Sequence, residues 1–326
     1  MKPRAVFLLA VVLALVLSGC AITGKKSGSN ENYPSRPITY IVPFAAGGGS
    51  DTLARIISSV APEHFGQPMT VQIMDGSSGV LGWREMLKRP ADGYTVIMFS
   101  DSPIIALLME GSKEINPRED FRPISPIRML RSIMIAKPGQ PWSTWDGFVE
   151  YAKAHPGELT LGGTMNLLMY LSYVLNQAGT EVNLVYYDSS GDALTDLLGG
   201  HIDLAAASPS GALPVAQSGD VVAVFDSAPI DKDETPEFAN MVTAKQAGFD
   251  GMAGITWFGM HPDTPDEIIE YASQAVKKMW EDPSLLALYK SLGEEPYYLP
   301  WQEAQEEYYK AFDNAEKFLR EAGFIQ

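Results

Sequence analysis

The chain has 326 residues, 46% of them hydrophobic and 20% charged, an ordinary globular composition with length enough for two domains. Its formal net charge of −16 argues against a nucleic-acid partner, because 24 Lys and Arg set against 40 Asp and Glu leave no surplus for a basic face. The single cysteine, Cys20, excludes an intramolecular disulfide.

The first element is an export signal. Lys2 and Arg4 precede an apolar run from Ala5 to Leu17, too short for a comfortable bilayer span of roughly 20 residues, and Leu17-Ser18-Gly19-Cys20 follows as a processing site. The segment resembles a bacterial lipoprotein signal, which implies removal of residues 1–19 and a lipid on Cys20. Residues 20–32 are then a polar, glycine- and serine-rich tether from membrane to domain. Loss of Lys2 and Arg4 leaves a net charge of −18, so an anionic ligand has to be drawn by local dipoles and not by the field of the whole molecule.

The apolar run Ile38–Val42 predicts a buried strand, and Leu53, Ile56, Ile57 and Val60 recur at the spacing of one helix face. Between them lies Pro43-Phe44-Ala45-Ala46-Gly47-Gly48-Gly49-Ser50-Asp51-Thr52, a loop whose glycines let backbone N–H groups approach a ligand. Ser50 or Asp51 is expected to cap the helix, and the positive end of its dipole favours an anion. A phosphate-cradling P-loop is excluded because Gly49-Ser50-Asp51 stands where Gly-Lys-Ser/Thr is required, and the dinucleotide fingerprint lacks its third glycine at Thr52. The same threonine breaks a G-x-S-x-G nucleophile elbow around Ser50. A turn that merely redirects the chain is the plain alternative.

Further strands are expected at Thr70–Met74 and Thr95–Phe99, completing a first α/β unit to about Arg131. A second unit follows, with strands at Ile133–Ala136, Leu159–Leu161, Asn183–Tyr187, Ile202–Ala206 and Val221–Phe225. Helices are placed between them near Thr144–Ala154, Asn166–Gln177 and Asp192–Leu198. Helices dominate from Pro265, with new starts at Pro283 and Trp301. Leu161-Gly162-Gly163-Thr164 repeats the strand–glycine–helix pattern, and Tyr187-Asp188-Ser189-Ser190-Gly191 is a third such turn. In open α/β sheets ligands bind at these carboxyl ends of strands, so the turns would line one cleft if the two units face each other.

Taken together, YPSRPITYIVPFAAGGGSDTLARIIS, DGSSGVLGWREMLKRPADGYTVIM, HPGELTLGG, DALTDLLGGHIDLAAAS, WFGMHPDTPDEII and the closing EAGF resemble the extracytoplasmic solute receptors of tripartite tricarboxylate transporters, the Bug or TctC-like proteins, over 33–326. The resemblance implies a two-lobed α/β fold of the periplasmic-binding, Venus-flytrap type, each lobe a mainly parallel sheet flanked by helices. Lobe 1 would comprise 33–131 and 258–326, lobe 2 132–257, with hinge strands near Arg131 and Trp257. It implies no catalysis and no cofactor. The protein would be a monomer that holds a small organic carboxylate (a di- or tricarboxylate, an amino acid or an aromatic acid) and delivers it to membrane permease subunits. Transferred by motif, the ligand site falls on Phe44, Ala45, Ala46, Gly47, Gly48, Gly49, Ser50, Asp51 and Thr52 of lobe 1 and on Gly163, Thr164, Met165 and Asn166 of lobe 2. Ser100, Asp101, Ser102 and Ser208 are candidates for the far end of the ligand.

The chain departs from the family at Thr164-Met165-Asn166-Leu167, where a Gly/Ser-rich turn is usual, and at Tyr187-Asp188-Ser189, where Tyr-Lys-Gly is frequent. A carboxylate at Asp188 facing the cleft would disfavour a second ligand carboxylate and favour an ammonium or hydroxyl. The histidines His64, His155, His201 and His261 have no metal-ligand spacing, so no metal is expected. Asp231, Asp233, Glu234 and Glu237 read as a solvated loop. Two rival readings remain: a receptor that presents its ligand to a membrane sensor, and an exported hydrolase using the Ser50 loop, which has no evident base.

Overall fold

The computed structural model describes residues 33–112, 114–321 and 325; Cys20, the signal and the tether lie outside them. The strands are β1 (Ile38–Val42), β2 (Met69–Ile73), β3 (Thr95–Phe99), β4 (Arg122–Leu130), β5 (Ile133–Ala136), β6 (Thr160–Gly163), β7 (Asn183–Tyr186), β8 (Leu204–Ala207), β9 (Val222–Asp226), β10 (Val242–Thr243) and β11 (Gly254–Met260). The helices are α1 (Gly49–Phe65), α2 (Val80–Leu87), α3 (Asp101–Glu110), α4 (Trp145–Ala154), α5 (Met165–Gln177), α6 (Ser190–Gly199), α7 (Pro209–Gln217), α8 (Asp266–Trp280), α9 (Pro283–Ser291) and α10 (Trp301–Glu321).

Two sheets form, ordered β2-β1-β3-β11-β4 and β10-β9-β5-β8-β6-β7. Each is parallel except for one strand, β11 in the first and β5 in the second, which runs antiparallel to both of its neighbours. These reversed strands are the first that the chain lays down after passing from one sheet to the other, through Arg131-Ser132 outward and through 244–253 on return. The result is the expected two-lobed α/β architecture.

Both faces of each sheet are covered, which is why the strands read as continuous apolar runs and not as alternating ones. On β5, Met134 and Ala136 point into one core with Phe148, Leu161, Leu168 and Phe225, while Ile133 and Ile135 point into the other with Ala193, Leu197 and Phe238. Lobe 1 is centred on rings: Trp83 meets Phe99 edge-on at 4.4 Å, Phe99 stacks on Phe121 at 4.3 Å, and Trp257 and Tyr308 complete the cluster. Helix α8 places Ile268, Ile269, Ala272, Val276 and Met279 on its buried stripe.

Arg131 fastens the first crossover. Its guanidinium binds Asp226 and Asp233 of lobe 2 and donates to the Gly293 carbonyl at 3.1 Å. Asp233, expected in a solvated loop, is instead 7% exposed, because this ion pair draws it inward. Among the described residues no helix is long and apolar enough to cross a membrane.

Candidate functional site

Five helices begin at one cavity. Strands β1 and β3 of lobe 1 and β6, β7 and β8 of lobe 2 each end in a short turn that starts α1, α3, α5, α6 or α7, and the residues preceding those helices are Gly48, Ser100, Thr164, Ser189 and Ser208. All five line a cavity of about 50 Å³, together with Phe44, Ala45, Gly49, Ser50, Ser102, Arg128, Leu130, Asn166, Leu167, Asp188, Ser190 and Thr256. The first amides of a helix have no intrahelical acceptor, and each N-terminus carries roughly half a positive charge. Side-chain caps would normally occupy some of those amides. Ser189 does so, accepting from the Gly191 N–H at 3.1 Å, and the start of α7 is occupied from a distance by Glu294, which accepts from the Ser210 N–H; Gly48, Ser100 and Thr164 leave α1, α3 and α5 with no side-chain cap.

The hydroxyls are engaged elsewhere or left over. Thr164 donates to the Asn166 side-chain oxygen Oδ1 at 2.8 Å, and the Ser208 and Ser210 hydroxyls lie 3.2 Å apart. The Ser100 hydroxyl is buried and has no partner. Uncapped N-termini beside a buried donor form a receptor for an anion small enough to touch several of them at once.

Arg128 forms the floor. It projects from β4, 2% exposed, donates to Thr256 at 3.1 Å and Ser210 at 3.0 Å, and pairs with buried Glu294. Its charge is thus compensated within the protein. Glu294 also accepts from the Ser210 N–H at 3.1 Å, so the pair ties lobe 1 to the start of α7 in lobe 2. At the rim, Asp188 is exposed. Burial raises the pKa of Asp75, and the charges of Asp188 and Asp192 raise it further, so carboxylates from both lobes repel one another at the cleft mouth.

Of the residues expected from sequence, Phe44, Ala45, Gly48, Gly49, Ser50, Ser100, Ser102, Thr164, Asn166, Asp188 and Ser208 meet here. Ala46, Gly47, Asp51, Thr52, Gly163 and Met165 do not line the cavity, for identifiable reasons. Ala46 and Gly47 form the exposed loop tip, Gly47 at φ +81°. Neither Ser50 nor Asp51 is the cap. Gly48 holds that position, and Asp51 folds back to accept from the Gly47 N–H at 2.9 Å while its other oxygen meets Arg55 at 2.8 Å. Thr52 bonds the Gly48 carbonyl. Gly163 lies against β8, where a Cβ would stand 2.8 Å from that of Ala206.

Met165 lines a different, outer cavity of about 710 Å³ with Met109, Leu168, Met169, Leu184 and Leu319. That space is largely apolar and meets a single helix start, that of α5 at Met165, so it lacks the convergent helix N-termini of the first cavity.

The sequence reading missed Arg128, Leu130, Leu167, Ser189, Ser190 and Thr256. Ser189 and Ser190 lay within a turn already singled out; the others carried no local signal. It also missed a cluster at Glu63, His64 and Asp282, whose ligand-type atoms lie within 4.8 Å of one another. Asp282 is committed there, taking His64 Nε2 at 2.8 Å on one oxygen and the Ser284 N–H at 2.8 Å on the other.

Known proteins resemble this chain over most of its length. The family model described as tripartite tricarboxylate transporter family receptor matches residues 53–322. Protein BugT of Bordetella pertussis is 28% identical over 297 residues, covering 88% of this chain and 89% of that one. A solved periplasmic transporter superposes with a TM-score of 0.82 at 26% identity, over 90% of this chain and 99% of its own. The R. palustris protein Rpa4515 with adipate gives 0.81 at 25% identity, with the same coverage.

Proposed function

The chain belongs to the tripartite tricarboxylate transporter family of receptors, proteins that bind solutes and are not enzymes, and on that premise we propose that it captures a small organic carboxylate between its two lobes and delivers it to a two-component membrane permease. The observation that carries this reading is the convergence of five helix N-termini, three of them (α1, α3 and α5) without a side-chain cap, on a cavity floored by a charge-compensated arginine. Such a cavity supplies several N–H donors and no uncompensated positive side chain, so it suits a carboxylate held by dipoles. The relative with adipate supports the same ligand class.

Capture works by closure. The expected lobe bounds, 33–131 with 258–326 and 132–257, need one change: β11 (Gly254–Met260) pairs wholly within the first sheet, so 254–257 go with lobe 1, and Gly48–Ser50 and Ser100 approach from that side and Thr164–Asn166, Asp188 and Ser208 from the other. Closure excludes water, which strengthens each N–H contact to the carboxylate. The hinge turns on the Arg131 crossover. Upstream, Cys20 carries a lipid that holds the receptor at the outer face of the membrane, with 20–32 as tether, and the receptor acts as a monomer without cofactor or metal.

A thermal-shift screen of the mature domain against succinate, malate, adipate, citrate, aspartate, glutamate and benzoate tests the reading. A true ligand at about 100 times its dissociation constant stabilises by about 2.7 kcal/mol. If no carboxylate stabilises the protein while neutral solutes do, the proposed ligand class is wrong.

A further inference from the structure

Asp101 begins α3 in lobe 1, immediately behind Ser100, and its carboxylate is buried. Tyr170, on α5 in lobe 2, donates its hydroxyl to Asp101 Oδ2 at 2.6 Å, so this bond crosses from one lobe to the other. The other oxygen, Oδ1, is buried without a hydrogen-bond partner. The close approach is built in. A Cβ on Gly254, at the start of β11, would stand 1.9 Å from the Tyr170 hydroxyl and 2.3 Å from Asp101 Oδ2, so only glycine fits behind the pair.

No cation neutralises this carboxylate. The groups facing it are Tyr170 from α5, the Ile255 backbone from β11 and Tyr308 from α10; Arg128 of β4, the nearby positive charge, is paired with Glu294. An ionised carboxylate in such surroundings is strongly disfavoured, whereas a carboxylic acid can accept from Tyr170 and keep its own proton on Oδ1. The pair also reaches the cavity: the Tyr170 hydroxyl faces the Asn166 amide, and Asn166 accepts from Thr164, both of which line the site.

We infer that Asp101 and Tyr170 form an interlobe latch that engages when the lobes close and takes up a proton as it does so. The inference rests on the closure mechanism proposed above. Parting the lobes returns Asp101 to water, where it is an ordinary carboxylate and releases the proton. Consistent with this, burial raises its pKa to about 6, against the hydrogen bonds from Tyr170 and Ile255. Ligand held at acidic pH would then be released more readily as the pH rises past that value.

The test is calorimetric. The wild-type receptor and Asp101→Asn are titrated with malate, adipate and glutamate at pH 5 and pH 7 in buffers of different ionisation enthalpy. The difference between the two proteins removes the ligand's own titration. Wild type is expected to take up close to one proton more than Asp101→Asn at pH 5 and almost none at pH 7, with affinity rising about tenfold more between pH 7 and pH 5. Tyr170→Phe should weaken binding at both pH values. Equal proton uptake in wild type and Asp101→Asn would overturn the latch. Should no carboxylate bind, the functional reading fails separately, and small-angle scattering still decides: the latch requires wild type to be more compact at pH 5 than at pH 8 and Asp101→Asn to be unchanged, and identical behaviour of the two overturns it.

Discussion

Gly49 of lobe 1 packs against Ser208 of lobe 2 with no space for a side chain: a Cβ at position 49 would stand 2.5 Å from the Ser208 hydroxyl, 2.6 Å from that of Ser210 and 3.1 Å from the Gly211 nitrogen. The third glycine of the loop thus serves contact between the lobes, whereas Gly47 serves the turn through its positive φ.

Gly49→Ala separates these roles. Position 49 is the first residue of α1, where alanine gains little over glycine, so the unliganded protein with its lobes parted should keep about the same melting temperature. Carboxylate affinity, by contrast, should fall about tenfold or more, the equivalent of about 1.4 kcal/mol, because the Gly211 backbone cannot yield. Melting curves and titration calorimetry on the same sample check both halves.

Arg128 is as much structural as functional. Arg128→Met leaves Glu294 charged and buried, and should lower stability by about 3–5 kcal/mol in urea denaturation. Removing both charges in Arg128→Met, Glu294→Leu should recover most of that loss.

Asp101 sets a pH dependence with a definite sign. Its folded-state pKa, about 6 and raised by burial, lies above the unfolded value of 3.8. Stability from this group is therefore full below about pH 3.8 and is lost as pH rises through about 6. Asp101→Asn should raise unfolding free energy by about 2–3 kcal/mol at pH 7.5 and change it little near pH 4. Chemical denaturation at both pH values reads this directly.

Asp188 at the rim, with Asp75 and Asp192, opposes a ligand's second negative charge. Asp188→Lys should tighten citrate and malate binding several-fold at low salt, an advantage that shrinks as the Debye length falls to about 8 Å at 0.15 M salt. Affinities measured at two ionic strengths test it.

What could be read beforehand follows from whether a signal is local. The β1 run and the α1 stripe repeat within a few residues, and β1, β3 and β5 begin and end where the apolar runs do. The turns that start α1, α5 and α6 were equally legible, whereas α3 and α7 were not read as helices and their serines entered only as candidates after strands; together these readings account for the eleven expected residues that line the site. Arg128 was invisible because β4 carries Pro123 and Pro126, poor strand formers, and because its burial arises from pairing with β11, more than a hundred residues away. Asp51 was misassigned for a conformational reason: Gly48 takes the extended backbone of the cap, which moves Asp51 three places into the helix. Asp233 and the His64–Asp282 pair depend on partners distant in sequence, so Asp233 read as part of a solvated loop and His64 as an isolated histidine.

The most direct measurement is a crystal structure of the receptor with the tightest-binding carboxylate from the screen. The expected result is a ligand carboxylate within hydrogen-bond distance of backbone N–H groups at the starts of α1 and α5, near Gly48–Ser50 and Thr164–Asn166, with the lobes closed around it. A ligand found in the outer apolar cavity, or one whose carboxylate contacts none of these helix N-termini, would contradict the proposed function.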